Sequence, residues 1–251
     1  MAKRAPPASN GYRARPISLR SRPPRLTVRH RSRRRTLLLV VALGTGCLLT
    51  AVVALVAFLA SLPTVADAEA RVGARLQTVG AVDTELPAPT LVGKAAVAVE
   101  DRRFYRHHGI DTIGLVGALA GPLHGSPPRG GDTITEQLAK TLYGGGRDHS
   151  IGGKLRMMGL AVKLERRYTK GQILEMYLNA IYYGESQLGV AQASQTYFSK
   201  PPSQLDWAEA SLLAGLPQAP LAYDPRVHFA AARRRQQLVL DALVRTDVLS
   251  R

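Results

Sequence analysis

The sequence predicts a mainly α domain held outside a membrane by one spanning helix, and three observations predict it. Leu37 to Leu62 is a run of 26 residues without a charge, longer than the roughly 20 a helix needs to cross a bilayer. Positive charge is concentrated before that run: residues 1–35 hold twelve Lys or Arg and no Asp or Glu, so they carry +12 of the net +16. Beyond it, apolar residues recur at helical spacing in one segment after another, and no run alternates as a half-buried strand would.

A cleaved leader competes for the apolar run, but its apolar core usually spans only about 7–15 residues behind a short basic segment. The basic arm also resembles a nucleic-acid contact. Attached directly to a span, it reads instead as a topology signal attracted to anionic headgroups. The positive-inside rule then places residues 1–35 in the cytoplasm as a disordered arm, residues 36–62 across the membrane, and the remainder outside. Cys47, the one cysteine, lies within the apolar run, which excludes an intramolecular disulfide and a cysteine metal centre. The outer domain must be held together by its core.

Residues 63–89 read as a juxtamembrane linker with a short helix near 66–77, and "ELPAP" marks a boundary, so the compact domain is expected over 90–251. "LVGKAAVAVEDRRFY" predicts a buried helix reaching about Tyr105, stopped by Gly109. Asp111 is placed to cap the next helix, "TIGLVGALAG". "GSPPRGG" reads as a loop. Thr133 then opens "ITEQLAKTLY", in which Ile134, Leu138 and Leu142 share a face. A basic helix follows near Lys154–Arg167. Thr169 and Gln172 make a capping box for the helix carrying Ile173, Leu174, Tyr177, Leu178 and Ile181. Asp206 with Glu209 starts another, ended by Pro217, and "FAAARRRQQLVLDALVR" is an amphipathic last helix.

The segment "AVAVEDRRFYRHHGID" sets Glu100 and Asp101 directly behind an apolar run. Burial raises a carboxylate's proton affinity and nearby arginines lower it, and Arg102, Arg103 and Arg106 follow closely. A carboxylate so placed suits general-base work. His107 and His108 are neighbours pointing about 100° apart on a helix, which suits one buried and one exposed histidine better than a shared metal. "GGDTITEQLAKTLY" combines glycines with a helix start, whose free amides together with Lys140 suit an anionic oxygen. No phosphate-binding Gly-Lys-Ser or Gly-Lys-Thr is present.

Taken in order, these segments resemble the peptidoglycan glycosyltransferase domain of family 51, found in monofunctional transglycosylases and class A penicillin-binding proteins. The first motif, Glu-Asp-x-x-Phe-x-x-His-x-Gly, is matched at Glu100, Asp101, Phe104, His107 and Gly109. The second, usually Gly-x-Ser-Thr-Ile-Thr-Gln-Gln-x-x-Lys-Asn, is matched at Gly131, Thr133, Ile134, Thr135, Gln137 and Lys140. "KLERRYTKGQILEMYLNAIYYGES" is similar to later blocks, and the resemblance covers about residues 88–245.

The resemblance implies a lysozyme-like all-α domain anchored in the bacterial cell membrane by one N-terminal helix. It implies polymerisation of lipid II into glycan strands with release of undecaprenyl pyrophosphate, Glu100 being the general base. Asp101, Phe104, His107, Gly131, Thr133, Thr135, Gln137, Lys140, Arg147, Lys154, Lys163 and Arg235 are the residues it assigns to the substrate. Lipid II, the nascent strand, the membrane and other cell-wall synthesis proteins are the implied partners, with no nucleic acid among them. It allows for Mg2+ or Mn2+ but no organic cofactor, and assigns no metal ligand.

The sequence departs from the family pattern at informative places. In the third motif, usually Arg-Lys-x-x-Glu, Gly153, Lys154 and Met157 stand at the named positions, so a second glutamate is replaced by a thioether. Glu165 lies eight residues on, roughly 12 Å along a helix, too far to stand in. Asp132 replaces serine, Glu136 glutamine and Thr141 asparagine, and two new carboxylates near a pyrophosphate would repel the substrate unless a metal ion lay between them. The sequence ends at Arg251 soon after the last helix, so peptide cross-linking is not expected. An active polymerase is the leading expectation; an inactive lipid II-binding scaffold and a lytic glycosidase are the alternatives.

Overall fold

The computed structural model describes residues 30–81, 83–86, 90–114, 132–144 and 150–250. It divides into two units, residues 1–52 and 53–251. In the first, the described chain is helical throughout. It belongs to α1 (His30–Ser61), and Arg35–Ser61 is long and apolar enough to cross a membrane. Leu37, Leu43, Leu49 and Val52 of this helix are exposed.

The second unit is built from short helices, and among its described residues no strand forms beyond one isolated bridge between Tyr182 and Leu188. They are α2 (Ala68–Gln77), α3 (Leu91–Glu100), α4 (Ile134–Tyr143), α5 (Ile151–Arg167), α6 (Lys170–Ala180), α7 (Val190–Phe198), α8 (Trp207–Gly215) and α9 (Phe229–Arg245). α3, α8 and α9 pack against one another, while α4 lies against α5 and α6. The small residues Ala95, Ala96 and Ala98 of α3 are buried, which lets its neighbours approach closely. Phe104, Ile134, Leu138, Leu160, Tyr177 and Leu213 fill the core, each worth about 1.5–3 kcal/mol on burial.

Local chemistry sets most helix starts. Thr133, Thr169 and Asp206 each form a complete capping box, with Glu136, Gln172 and Glu209 reaching back. Ser150 caps α5 by accepting from the Gly153 amide. Residues 63–77, read from sequence as a linker, pack Val65, Ala68, Val72 and Leu76 into the same core as the helices that follow. The helix expected to reach Tyr105 ends at Glu100, because Asp101 turns to φ −149°, ψ 73°. A separate turn of 3-10 helix follows at Phe104–Arg106. Asp111 does accept the Gly114 amide as a cap at 2.9 Å. The rest of that expected helix, and the expected glycine loop, lie outside the described residues.

Candidate active site

Glu100 is the last residue of α3. A helix C-terminus carries partial negative charge, which disfavours a carboxylate there by about 0.3–1 kcal/mol. The offset comes from α9: Arg235 Nη2 donates to Glu100 Oε1 at 2.8 Å. Arg235 is itself fixed, since its Nε donates to the Gly215 carbonyl at 3.1 Å. The second carboxylate oxygen accepts from Gln137 Nε2 at 3.2 Å, and Tyr177 donates to Gln137 Oε1 at 3.1 Å. That acceptor bond orients the Gln137 amide so that its nitrogen faces Glu100. Burial foremost, with the negative charge of Glu100 next, raises the Tyr177 hydroxyl well above its ordinary range, so it remains a donor. The Glu100 side chain is still 17% exposed, which leaves it reachable.

The cation beside Glu100 is therefore Arg235, and none of the three arginines that follow it in sequence. Arg103 turns to Asp111, with Nη2 2.6 Å from Oδ2, and Arg102 and Arg106 are exposed. Although burial raises it, the Asp111 carboxyl is held below its usual range by Arg103 and the Gly114 amide.

Asp101 is structural. Buried to 6% exposure, its Oδ2 accepts from the Ile134 amide at 3.1 Å, and both oxygens lie within 3.0 Å of His107 Nε2. The Gly109 amide donates to His107 Nδ1, which places the ring proton on Nε2, where it donates to Asp101. His108 is exposed, so the paired histidines divide as expected. Thr133 Oγ1 donates to the Gly109 carbonyl at 2.7 Å. Gly109 itself has φ +94°, and a Cβ there would sit 2.9 Å from the Ala161 backbone, so only glycine lets this turn rest on α5.

These bonds revise the reading of the α4 start as an open anion site. The amides of Ile134 and Glu136 are taken by Asp101 and by Thr133 Oγ1, so neither is free for a phosphate. Thr133 and Thr135 are buried and touch protein. Glu136, expected to repel or recruit charge at the site, instead accepts from the Thr133 amide at 2.9 Å. Burial above all, with Asp132 and Asp101 adding, raises its pKa above 4.5. Asp132 lies 3.4 Å from Lys154 at an exposed edge. Among the described residues no three His, Cys, Asp or Glu gather as a metal site. Asp132 and Glu136, each engaged elsewhere, do not fit a shared divalent ion.

Of the candidate cations, Lys140 is exposed on α4, one turn beyond Gln137 and on the same face. Lys154 is exposed at the start of α5. Lys163 does not join them: its Nζ donates to the Leu59 and Leu62 carbonyls at 3.3 and 2.8 Å, closing the end of α1 as a lysine closes a helix C-terminus. Gly131 and Arg147 lie outside the described residues. Phe104 is fully buried and supports the turn after Asp101. Met157 packs partly buried against the core. Sequence reasoning missed Tyr177 as a site residue, having read it as one of an apolar stripe; a phenol among aliphatic neighbours was the available signal.

A sequence model of the family described as Transglycosylase matches residues 75–244, more than half of the chain. A candidate transglycosylase of Cupriavidus necator is 43% identical over 157 residues, covering 62% of this chain and 68% of that protein. Penicillin-binding protein 1A of Neisseria gonorrhoeae is 40% identical over 163 residues, covering 64% of this chain. Its counterpart in Streptococcus pneumoniae is 39% identical over 164 residues, covering the same share. The matched region spans 20% and 23% of the lengths of those two proteins.

Proposed function

The chain belongs to the transglycosylase family, and from that membership we propose that it polymerises lipid II into peptidoglycan glycan strands at the outer face of a bacterial cell membrane. The observation that carries the reading is Glu100, held from both sides by Arg235 and Gln137 yet still open to solvent.

In this reading Glu100 takes the proton from the 4-hydroxyl of the acceptor disaccharide as that oxygen attacks the anomeric carbon of the growing chain. The bond from that carbon to the pyrophosphate oxygen breaks with inversion, and undecaprenyl pyrophosphate leaves with the electron pair. Charge grows on the leaving group, so preplaced cations lower the barrier. Lys140 and Lys154, both exposed, supply that charge, and Arg235 holds the base. The rigid links of Glu100 favour a near-attack geometry, since misplacement by about 1 Å can cost 100-fold in rate.

The apolar helix supports membrane anchoring by its length and composition, and the basic residues before it support a cytoplasmic N-terminus. Lipid II and the nascent strand are the proposed ligands, with other cell-wall synthesis proteins as partners. Mg2+ or Mn2+, where it assists, acts through the substrate's pyrophosphate. Fluorescent lipid II incubated with the detergent-solubilised full chain tests the reading. Polymer digestible to disaccharide units, formed with undecaprenyl pyrophosphate, supports it. Lipid II recovered unchanged points to the scaffold alternative, and shortening of preformed glycan points to a lytic enzyme.

A further inference from the structure

Away from the groups that touch Glu100, a buried carboxylate links three helices. Glu165 on α5 is 4% exposed. Its Oε1 accepts from Thr135 Oγ1 at 2.6 Å and from Lys170 Nζ at 2.7 Å. Lys170, the first residue of α6, also sits 4.3 Å above the centre of the Phe104 ring, in the turn that follows Glu100 and Asp101. A buried ion pair is often no more stabilising than apolar residues of the same size, so stability alone gives this arrangement little reason to carry charge.

Geometry supplies a reason. Thr135 and Gln137 are two positions apart on α4, about 200° around its axis, so they face opposite sides. One side is bonded to Glu165 on α5; the other is bonded to Glu100 on α3 and Tyr177 on α6. Tyr177 and Lys170 lie on the same helix, seven residues or about 10.5 Å apart. Gln137, Tyr177, Lys170, Glu165 and Thr135 thus close a ring through α4, α5 and α6. A helix gripped on both flanks cannot rotate without breaking one bond of the ring.

We infer that Glu165 is a positioning residue for glycosyl transfer, which with Thr135 and Lys170 fixes the rotation of α4 and thereby the place of Gln137 against Glu100. Glu165 acts through the ring and touches no substrate. The inference rests on the assignment of Glu100 as the base.

The test uses the full chain in detergent, with lipid II polymerisation kinetics and the Gln137 side-chain amide signal in 1H–15N NMR, assigned by its loss in Gln137→Leu. Thr135→Val and Glu165→Gln are expected to lower kcat about 10- to 100-fold with KM within about twofold, and to broaden or shift the Gln137 amide. Thr135→Ser, which keeps the hydroxyl, restores both. Glu165→Gln/Lys170→Met removes the unpaired charge, so its melting temperature returns toward the parent while kcat stays low. Parental kcat in Thr135→Val, or kcat recovering together with stability in the paired variant, overturns the inference. Failure of the parent to make polymer counts against the proposed function instead. The amide signal then decides alone, and a Gln137 resonance unmoved by Thr135→Val overturns the positioning role.

Discussion

Arg235 Nη2 lies 2.8 Å from Glu100 Oε1, joining the end of α3 to the middle of α9 across 135 positions of sequence. The pair is 9% and 17% exposed, so it is neither a screened surface contact nor a sealed one. Each half is held by a further bond: Arg235 by the Gly215 carbonyl, and Glu100 by the Gln137 amide that Tyr177 orients.

Arg235→Met leaves a partly buried carboxylate unpaired at the negative end of a helix. Loss of one partner of a buried pair costs about 3–5 kcal/mol; with Glu100 in part solvated, about 1–3 kcal/mol is expected here. Polymerisation should fall about 100-fold or more. Arg235→Lys keeps the charge but not both bonds of the guanidinium, and should recover most of the stability with little of the rate. Urea unfolding and lipid II turnover on the same preparations read the two effects.

The Glu136 pKa is raised above 4.5, mainly by burial. Above pH 4.5 the folded chain holds this proton after the unfolded chain has released it, so stability falls as pH rises toward the raised value. Glu136→Gln retains the capping box, for which glutamine serves as well as glutamate, and removes the charge. The variant should melt higher than the parent at pH 7, and the difference should shrink toward pH 4.5. Scanning fluorimetry across that range measures it, and parallel pH profiles count against it.

Gly109→Ala forces a side chain onto a backbone at φ +94° with its Cβ 2.9 Å from the Ala161 carbonyl carbon. Strain and overlap together should cost about 2–4 kcal/mol. The same substitution at Gly73, where a Cβ meets nothing within 4 Å, should be neutral or stabilising by up to about 1 kcal/mol. Melting temperatures of the two variants separate the cases.

Lys140 is exposed on the face of α4 that carries Gln137. Lys140→Met should leave stability within about 0.5 kcal/mol. It should weaken use of lipid II, seen as a lower kcat/KM with an intact fold by circular dichroism. An unchanged kcat/KM removes Lys140 from the leaving-group site.

Much of this was legible in the sequence because the signals are local. The capping residues Thr133, Thr169 and Asp206 are followed three positions on by Glu or Gln, and each forms its box. The motif put Glu100 forward as the candidate base, and helical geometry divided His107 from His108. What escaped depends on long-range pairing. That Arg235 faces Glu100, that Glu165 meets Thr135 and that Lys163 closes α1 are contacts between segments about 30 to 135 positions apart, and no periodicity encodes them. The end of α3 escaped for a related reason: Asp101 leaves the helix to serve an amide 33 positions away. Glu136 was misread because its carboxylate was placed by motif position and not by the cap it completes.

Polymerisation of labelled lipid II by the full-length protein beside Glu100→Gln and Met157→Glu, with and without Mg2+ or Mn2+, tests the central claim most directly. A glycan ladder from the parent that is lost in Glu100→Gln with the helical fold retained by circular dichroism, and kept in Met157→Glu, is the predicted result. A ladder that persists in Glu100→Gln would contradict the assignment of Glu100 as the base.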